Sequence, residues 1–123
     1  MGKPRILIVD DEASLARLLK LNLEQLGQYE VRIEHEGRRA LDVAKEFEPD
    51  LILLDVIMPD LDGGAVASQI QAEPRLKATP IVFLTAIVSS QEARHGVIGG
   101  HPFLAKPVSM DELLQCIDKQ LYA

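Results

Sequence analysis

Five residues in this chain are of types that could do ionic chemistry together: Asp10, Asp11, Asp55, Thr85 and Lys106. Each stands at or just past the end of a short apolar run. Ile6 to Val9 leads into Asp10-Asp11-Glu12, Leu51 to Leu54 into Asp55, Ile81 to Leu84 into Thr85, and Phe103 to Ala105 into Lys106-Pro107. If these runs are strands of one open parallel sheet, their carboxyl ends form the edge where ligands bind. Three carboxylates, a hydroxyl and an ammonium would then meet there. Carboxylates a few ångströms apart repel strongly where water screens them poorly. A divalent cation and the Lys106 ammonium would relieve that repulsion. A small set of hard oxygen donors suits Mg2+ better than a transition metal. A carboxylate beside Mg2+ can act as a nucleophile toward phosphorus, and Mg2+ with Lys106 would neutralise the transferring group. Thr85 could donate a hydrogen bond to a phosphoryl oxygen.

Each residue has a plainer reading when taken alone. An Asp at a strand end often only closes a turn, and an acid at the start of a helix suits its dipole. Thr85 could be an ordinary strand residue and Lys106 a solvated loop lysine. The chemical reading rests on their joint placement, and so on the fold.

The elements that must position them follow from hydrophobic pattern. Continuous apolar runs are what parallel strands covered on both faces require, whereas Tyr29, Val31 and Ile33 alternate with charged residues, as at a sheet edge. Helical stripes lie between the runs: Leu15, Leu18, Leu19, Leu23 and Leu26 with Gly27 as a stop, then Ala40, Leu41, Ala44 and Phe47 closed by Pro49, then Val66, Ala67 and Ile70 closed near Pro74. A last helix opens with the capping pair Ser109 and Glu112 and carries Leu113, Leu114, Ile117 and Leu121. Ser89 to Gly100 is the weakest helical segment, because Gly96, Gly99 and Gly100 each lower propensity by about 1 kcal/mol relative to Ala. The pattern is β-α repeated five times, which predicts an α/β doubly wound parallel sheet with right-handed crossovers.

At 123 residues the chain suits one domain, 1–123, with no linker, repeat or output domain visible in it. The 13 basic against 19 acidic residues give a net charge of -6, which argues against a nucleic-acid face or an anionic membrane surface. No apolar run approaches the roughly 20 residues of a membrane span. No signal peptide precedes the first strand, so the cytoplasm is the expected location. Cys116 is the only cysteine, which excludes an intrachain disulfide, and its apolar helical setting predicts a small core residue. His35, His95 and His101 offer no metal-ligand spacing, and His101 reads as a surface residue.

Four stretches, in order, resemble the receiver domain of bacterial response regulators: Ile6 to Glu12, Leu53 to Gly63, Pro80 to Ala86, and Phe103 to Pro107. The likeness covers essentially the whole chain and implies the flavodoxin-like strand order 2-1-3-4-5. It implies that Asp55 is the phosphoacceptor, Asp11 a direct Mg2+ ligand, and Asp10 a ligand acting largely through water. Asp55 and the backbone carbonyl of Ile57 would complete the protein's share of the metal site. Lys106 would contact the phosphoryl group, and Pro107 would follow it through a cis peptide bond. The donor would be a phosphohistidine on a sensor histidine kinase or phosphotransfer protein. Thr85 and Phe103 would form the switch, coupled to the surface of the fourth helix, fifth strand and fifth helix. A downstream protein or output domain would dock there, and a phosphorylation-dependent homodimer through that face is compatible with the likeness. Such a chain is a signalling receiver rather than a turnover enzyme, although it would assist its own phosphotransfer and autodephosphorylation. Gly99-Gly100-His101-Pro102 departs from the family pattern before the switch aromatic, and Phe103 lacks the hydroxyl of the commoner Tyr. Ile57 and Ile87 would flank the path of attacking water and lengthen the life of the phosphorylated form.

Three other classes compete. A haloacid-dehalogenase-type phosphatase with Asp10 as nucleophile wants a second Asp two residues on, where Glu12 stands, and a cap domain. A nucleotide or flavin module wants a phosphate-cradling Gly-rich loop after the first strand, where Asp10-Asp11-Glu12 would repel phosphate. A docking domain that has lost phosphorylation need not keep so costly an acidic cluster beside Thr85 and Lys106.

Overall fold

The structure, a computed structural model, describes residues 2–86, 97–98 and 100–122, with the backbone alone for 97–98. Strands β1 (Arg5–Val9), β2 (Glu30–Glu34), β3 (Leu51–Asp55) and β4 (Ile81–Thr85) are joined by helices α1 (Ala13–Gln25), α2 (Ala40–Phe47) and α3 (Gly63–Ala72). A one-turn 3-10 segment, Gly37–Arg39, leads into α2. The short strand β5 (Val97–Ile98), strand β6 (His101–Ala105) and helix α4 (Met110–Tyr122) complete the described chain.

The sheet order is β2-β1-β3-β4-β6-β5. Its five long strands are parallel, and with β6 counted as the fifth they follow the expected order 2-1-3-4-5. The two-residue β5 is the addition: it pairs antiparallel with β6, within a segment that reads as a weak helix in sequence. The remainder of that segment, with Ile87 and His95, lies outside the described residues. The alternating strand β2 is indeed at an edge, while β3 is buried throughout.

Strand periodicity sorts the core into two layers, because successive side chains point to opposite faces. Leu7, Val9, Ile52, Leu54 and Phe83 pack with α2 and α3. Ile6, Ile8, Leu53 and Leu84 pack with α1 and α4. The α1 stripe is narrower than the sequence suggests. Ala16, Leu19 and Leu23 are its buried residues, whereas Leu18 and Leu26 are 53% and 46% exposed. Residues 16, 19 and 23 lie on one helical face, and Leu18 is rotated about 100° from Leu19. Gly27 does end this helix, at φ +74°, and its N–H bonds the Glu24 carbonyl. Ser109 caps α4 as expected, its Oγ accepting the Glu112 N–H (3.1 Å), while Glu112 Oε1 accepts from the Ser109 hydroxyl (3.0 Å). Cys116 is only half-buried rather than a core residue, because Leu113 and Ile117 take the inward face of α4.

Candidate functional site

The register brings the polar strand ends together. Asp55 lies beside Leu84 in the β3–β4 pairing and Thr85 beside Ala105 in the β4–β6 pairing. Asp10 follows β1, and its N–H still donates to the Glu34 carbonyl (3.0 Å), so the ladder with β2 runs one residue beyond the strand. Lys106 follows β6 in the same way, with its N–H on the Thr85 carbonyl (2.9 Å). β1 and β3 are neighbours although β2 lies between them in sequence, so Asp10 and Asp55 flank the point where strand order reverses.

Asp10 is fully buried, Asp55 is 5% exposed and Thr85 is fully buried. Asp10 Oδ1 accepts the Glu12 N–H (2.9 Å), a turn that leads the chain into α1, and His35 Nδ1 lies 3.0 Å from the Asp10 carbonyl. Asp55 Oδ1 accepts the Ile57 N–H (3.2 Å). The side chain of Lys106 reaches across to both carboxylates. Its Nζ lies 2.9 Å from Asp10 Oδ2, 3.5 Å from Asp55 Oδ2 and 2.7 Å from Glu12 Oε1.

Burial, then the charge of Asp10, pushes the Asp55 carboxyl up to about 7, against the opposing pull of Lys106 and the Ile57 N–H. Burial by itself would lower the Lys106 ammonium, but its contacts with Glu12 and Asp10 and the charge of Asp55 outweigh this and raise it. The cluster is therefore short of positive charge even with Lys106 in place.

Asp11 is exposed and joins Asp10 and Asp55, with one carboxylate oxygen of each within 4.8 Å of the others. Asp10 Oδ2 is buried and paired with the Lys106 ammonium at 2.9 Å. Three converging acids, all hard oxygen donors, with a lysine ammonium shared among Asp10, Asp55 and Glu12, fit Mg2+. A cleft of about 230 Å³ opens over the cluster, lined by Asp11, Glu12, Asp55, Ile57, Ala86 and Lys106.

Of the remaining residues singled out in the sequence, Ile57 is 54% exposed at the cleft and Phe103 is half-buried opposite Phe83. The Lys106–Pro107 peptide bond is cis. His101 is half-buried rather than a surface residue: its ring meets Phe83 edge-on, centroids 5.4 Å apart, and burial lowers its pKa. Two contacts escape the sequence. The Glu12–Lys106 pair joins residues 94 apart, and His35 reaches the Asp10 backbone only because β2 lies beside β1. Glu12 did stand in the acidic triplet, but nothing local assigns it a partner.

Known proteins agree with this geometry. The response regulator receiver domain model matches residues 6–118. The chain is 35% identical over 112 residues to the DNA-binding dual master transcriptional regulator RpaA of Synechocystis, a match covering 90% of this chain and 46% of that protein. It thus spans about half the length of the curated relatives it matches. The chemotaxis protein CheY4 of Vibrio cholerae has a similar structure, with a TM-score of 0.86 at 30% identity, covering 98% of this chain and 100% of that one. So has the receiver domain of the sensor histidine kinase PA1611 of Pseudomonas aeruginosa, at TM-score 0.85 and 26% identity, covering 99% of this chain and 100% of that one. That structure holds a magnesium ion coordinated in the active-site cleft. This chain belongs to the response regulator receiver domain family, with an acidic cluster that fits Mg2+ and phosphorylation.

Proposed function

We propose that the chain is a phosphorylation-dependent switch of a two-component system in which Asp55 accepts a phosphoryl group from a phosphohistidine of a sensor histidine kinase or phosphotransfer protein. The observation that carries this is the Asp55 carboxylate at the cleft, with Lys106 Nζ at 3.5 Å and two further carboxylates alongside. An Asp55 oxygen attacks phosphorus, the phosphorus–nitrogen bond of the donor breaks, and the imidazole leaves with the bonding pair and takes up a proton. Asp10, Asp11, Asp55 and the Ile57 carbonyl would hold Mg2+, which when bound supplies charge neutralisation at the phosphoryl oxygens. Lys106 stands ready to pair with the same oxygens, and Thr85 to donate a hydrogen bond to them. Engagement of Thr85 then draws on the half-buried Phe103 and alters the face built from β6 and α4. A partner protein or an output domain docks there, and a phosphorylation-dependent homodimer could form through it. Residues 1–123 form one receiver domain, which acts in the cytoplasm and itself makes no direct contact with nucleic acid or membrane. Among the described residues no helix is long and apolar enough to cross a membrane.

The phosphatase reading needs Asp10 as nucleophile. Asp10 is fully buried, with one oxygen on the Glu12 N–H and the other against Lys106, and it is Asp55 rather than Asp10 that lines the cleft. The test is intact mass after incubation with Mg2+ and acetyl phosphate, run beside Asp55→Ala. The expected result is one phosphoryl group on the wild type only, abolished by chelation. A gain that survives Asp55→Ala would move the acceptor elsewhere. No gain in either protein, with Mg2+ binding intact, would leave a docking domain.

A further inference from the structure

The loop between β3 and α3 carries Ile57, whose carbonyl is a metal ligand in the reading above, and the inference here rests on that reading. Both ends of the loop are fixed. At the start, Ile57 N–H is held by Asp55 Oδ1 (3.2 Å). At the end, Gly63 N–H bonds the Val56 carbonyl (2.7 Å) and Asp62 caps α3 by accepting the Ala65 N–H (2.9 Å). In its middle Pro59 and Asp60 are exposed, while Met58 is buried in the core layer beneath α2 and α3 and Leu61 is half-buried against it.

A polar side chain adds a second tie between this middle and the rest of the fold. Asp60 Oδ1 accepts the Gly37 N–H (3.2 Å) and Oδ2 accepts the Arg38 N–H (3.1 Å). These N–H groups belong to the turn that opens into α2, where the first donors of a helical segment lack intrahelical partners. The hydrogen bond from Arg38 in particular keeps the Asp60 carboxyl below its ordinary range, so it stays ionised and accepts at both oxygens. The approach is close enough to require glycine at position 37. A Cβ there would stand 2.9 Å from the Leu61 carbonyl oxygen, 3.1 Å from Met58 Cε and 3.2 Å from Val66 Cγ2. The 3-10 turn and the loop are therefore seated against each other, with Asp60 as the polar clasp.

We infer that Asp60 is a positioning residue for the metal site: by clasping Gly37 and Arg38 it sets the loop so that the Ile57 carbonyl already faces the Asp10–Asp11–Asp55 cluster before Mg2+ arrives. The clasp touches no reacting atom. Without it the loop remains anchored at both ends but its middle samples more conformations, and binding must select among them, which lowers apparent affinity. Partners that orient a metal ligand typically change affinity by about 10–100-fold. Ile57 would supply one ligand of several, so the low end applies.

The experiment is Mg2+ titration by calorimetry on wild type, Asp60→Ala, Asp60→Asn and Gly37→Ala, with melting of each protein in chelator and in saturating Mg2+. Asp60→Ala should weaken Mg2+ about tenfold, with its chelated melting temperature near that of wild type. Asp60→Asn keeps one acceptor oxygen and should fall between them. Gly37→Ala, whose Cβ would press on the Leu61 carbonyl, should weaken Mg2+ while the Asp60 carboxylate itself is kept. Unchanged Mg2+ affinity in Asp60→Ala would overturn the inference. So would an equal fall in melting temperature with and without metal, since that is the mark of a purely structural contact. A wild type that takes up no Mg2+ would overturn the Mg2+ reading of the cluster, and this inference with it.

Discussion

Replacing Asp55 by Asn should make the metal-free protein more stable while removing the proposed phosphoacceptor. In the folded chain the Asp55 carboxyl sits at about 7 rather than 3.8, chiefly through burial and the charge of Asp10. The folded state thus binds that proton more tightly than the unfolded chain does. Its stabilising contribution is complete below pH 3.8 and is lost as pH rises through about 7. At 1.36 kcal/mol per unit, the penalty on the charged form has a ceiling of about 4 kcal/mol. Asn keeps the acceptor for the Ile57 N–H but gives up the attraction of Lys106. The net gain for Asp55→Asn above pH 7 should then be about 1–2 kcal/mol, or roughly 4–8 °C in melting temperature for a chain of this size. The assay is urea and thermal denaturation by circular dichroism in chelator, from pH 4.5 to 8. The gain should shrink toward zero at the acid end, and saturating Mg2+ should narrow it at pH 8 by stabilising the wild type alone. Equal stability at pH 8 in chelator, or a gain that does not vary with pH, would refute the account of a carboxylate under electrostatic strain.

Lys106→Ala should act in the opposite sense, destabilising the chelated protein by about 2–3 kcal/mol because Asp10 and Asp55 lose their counter-charge; urea denaturation at pH 8 measures it. Gly63→Ala should cost about 2–3 kcal/mol, because its Cβ would collide with the Asp55 carbonyl oxygen and Val56 Cα. The fall in melting temperature checks this, and a neutral Gly63→Ala would contradict the tight seating of α3 on the end of β3. The double change Ile57→Asn with Ile87→Asn should shorten the life of the phosphorylated protein severalfold by admitting water. Decay of the added phosphoryl mass after removal of the donor measures it, and an unchanged decay would show that apolar bulk at these positions does not set the lifetime.

Much of this protein was legible in the chain itself, because the parts concerned depend on local pattern. The runs at Ile6, Leu51, Ile81 and Phe103 gave strands, since a parallel strand covered on both faces must be apolar throughout. Gly27 and the Ser109–Glu112 pair marked helix ends by chemistry that operates within four residues. The residues that end those runs were thereby placed at a common sheet edge. Only tertiary structure could decide the rest. The wide α1 stripe could not show that Leu18 and Leu26 face solvent, because that depends on how the helix is rotated against β1 and β2. The weak pattern before His101 gave no hint of β5, whose two residues exist as a strand only through pairing with β6. His101 and Cys116 acquired their half-burial from neighbouring elements. Within the site, Lys106 divides itself among Asp10, Glu12 and Asp55, and Asp60 clasps Gly37 and Arg38, because strand order and loop packing join residues far apart in sequence. Residue types and spacing determined which chemistry the chain can do. The elevated Asp55 carboxyl and the burial of Asp10 came from the fold, since burial and charge proximity are properties of assembled strands and of no segment alone.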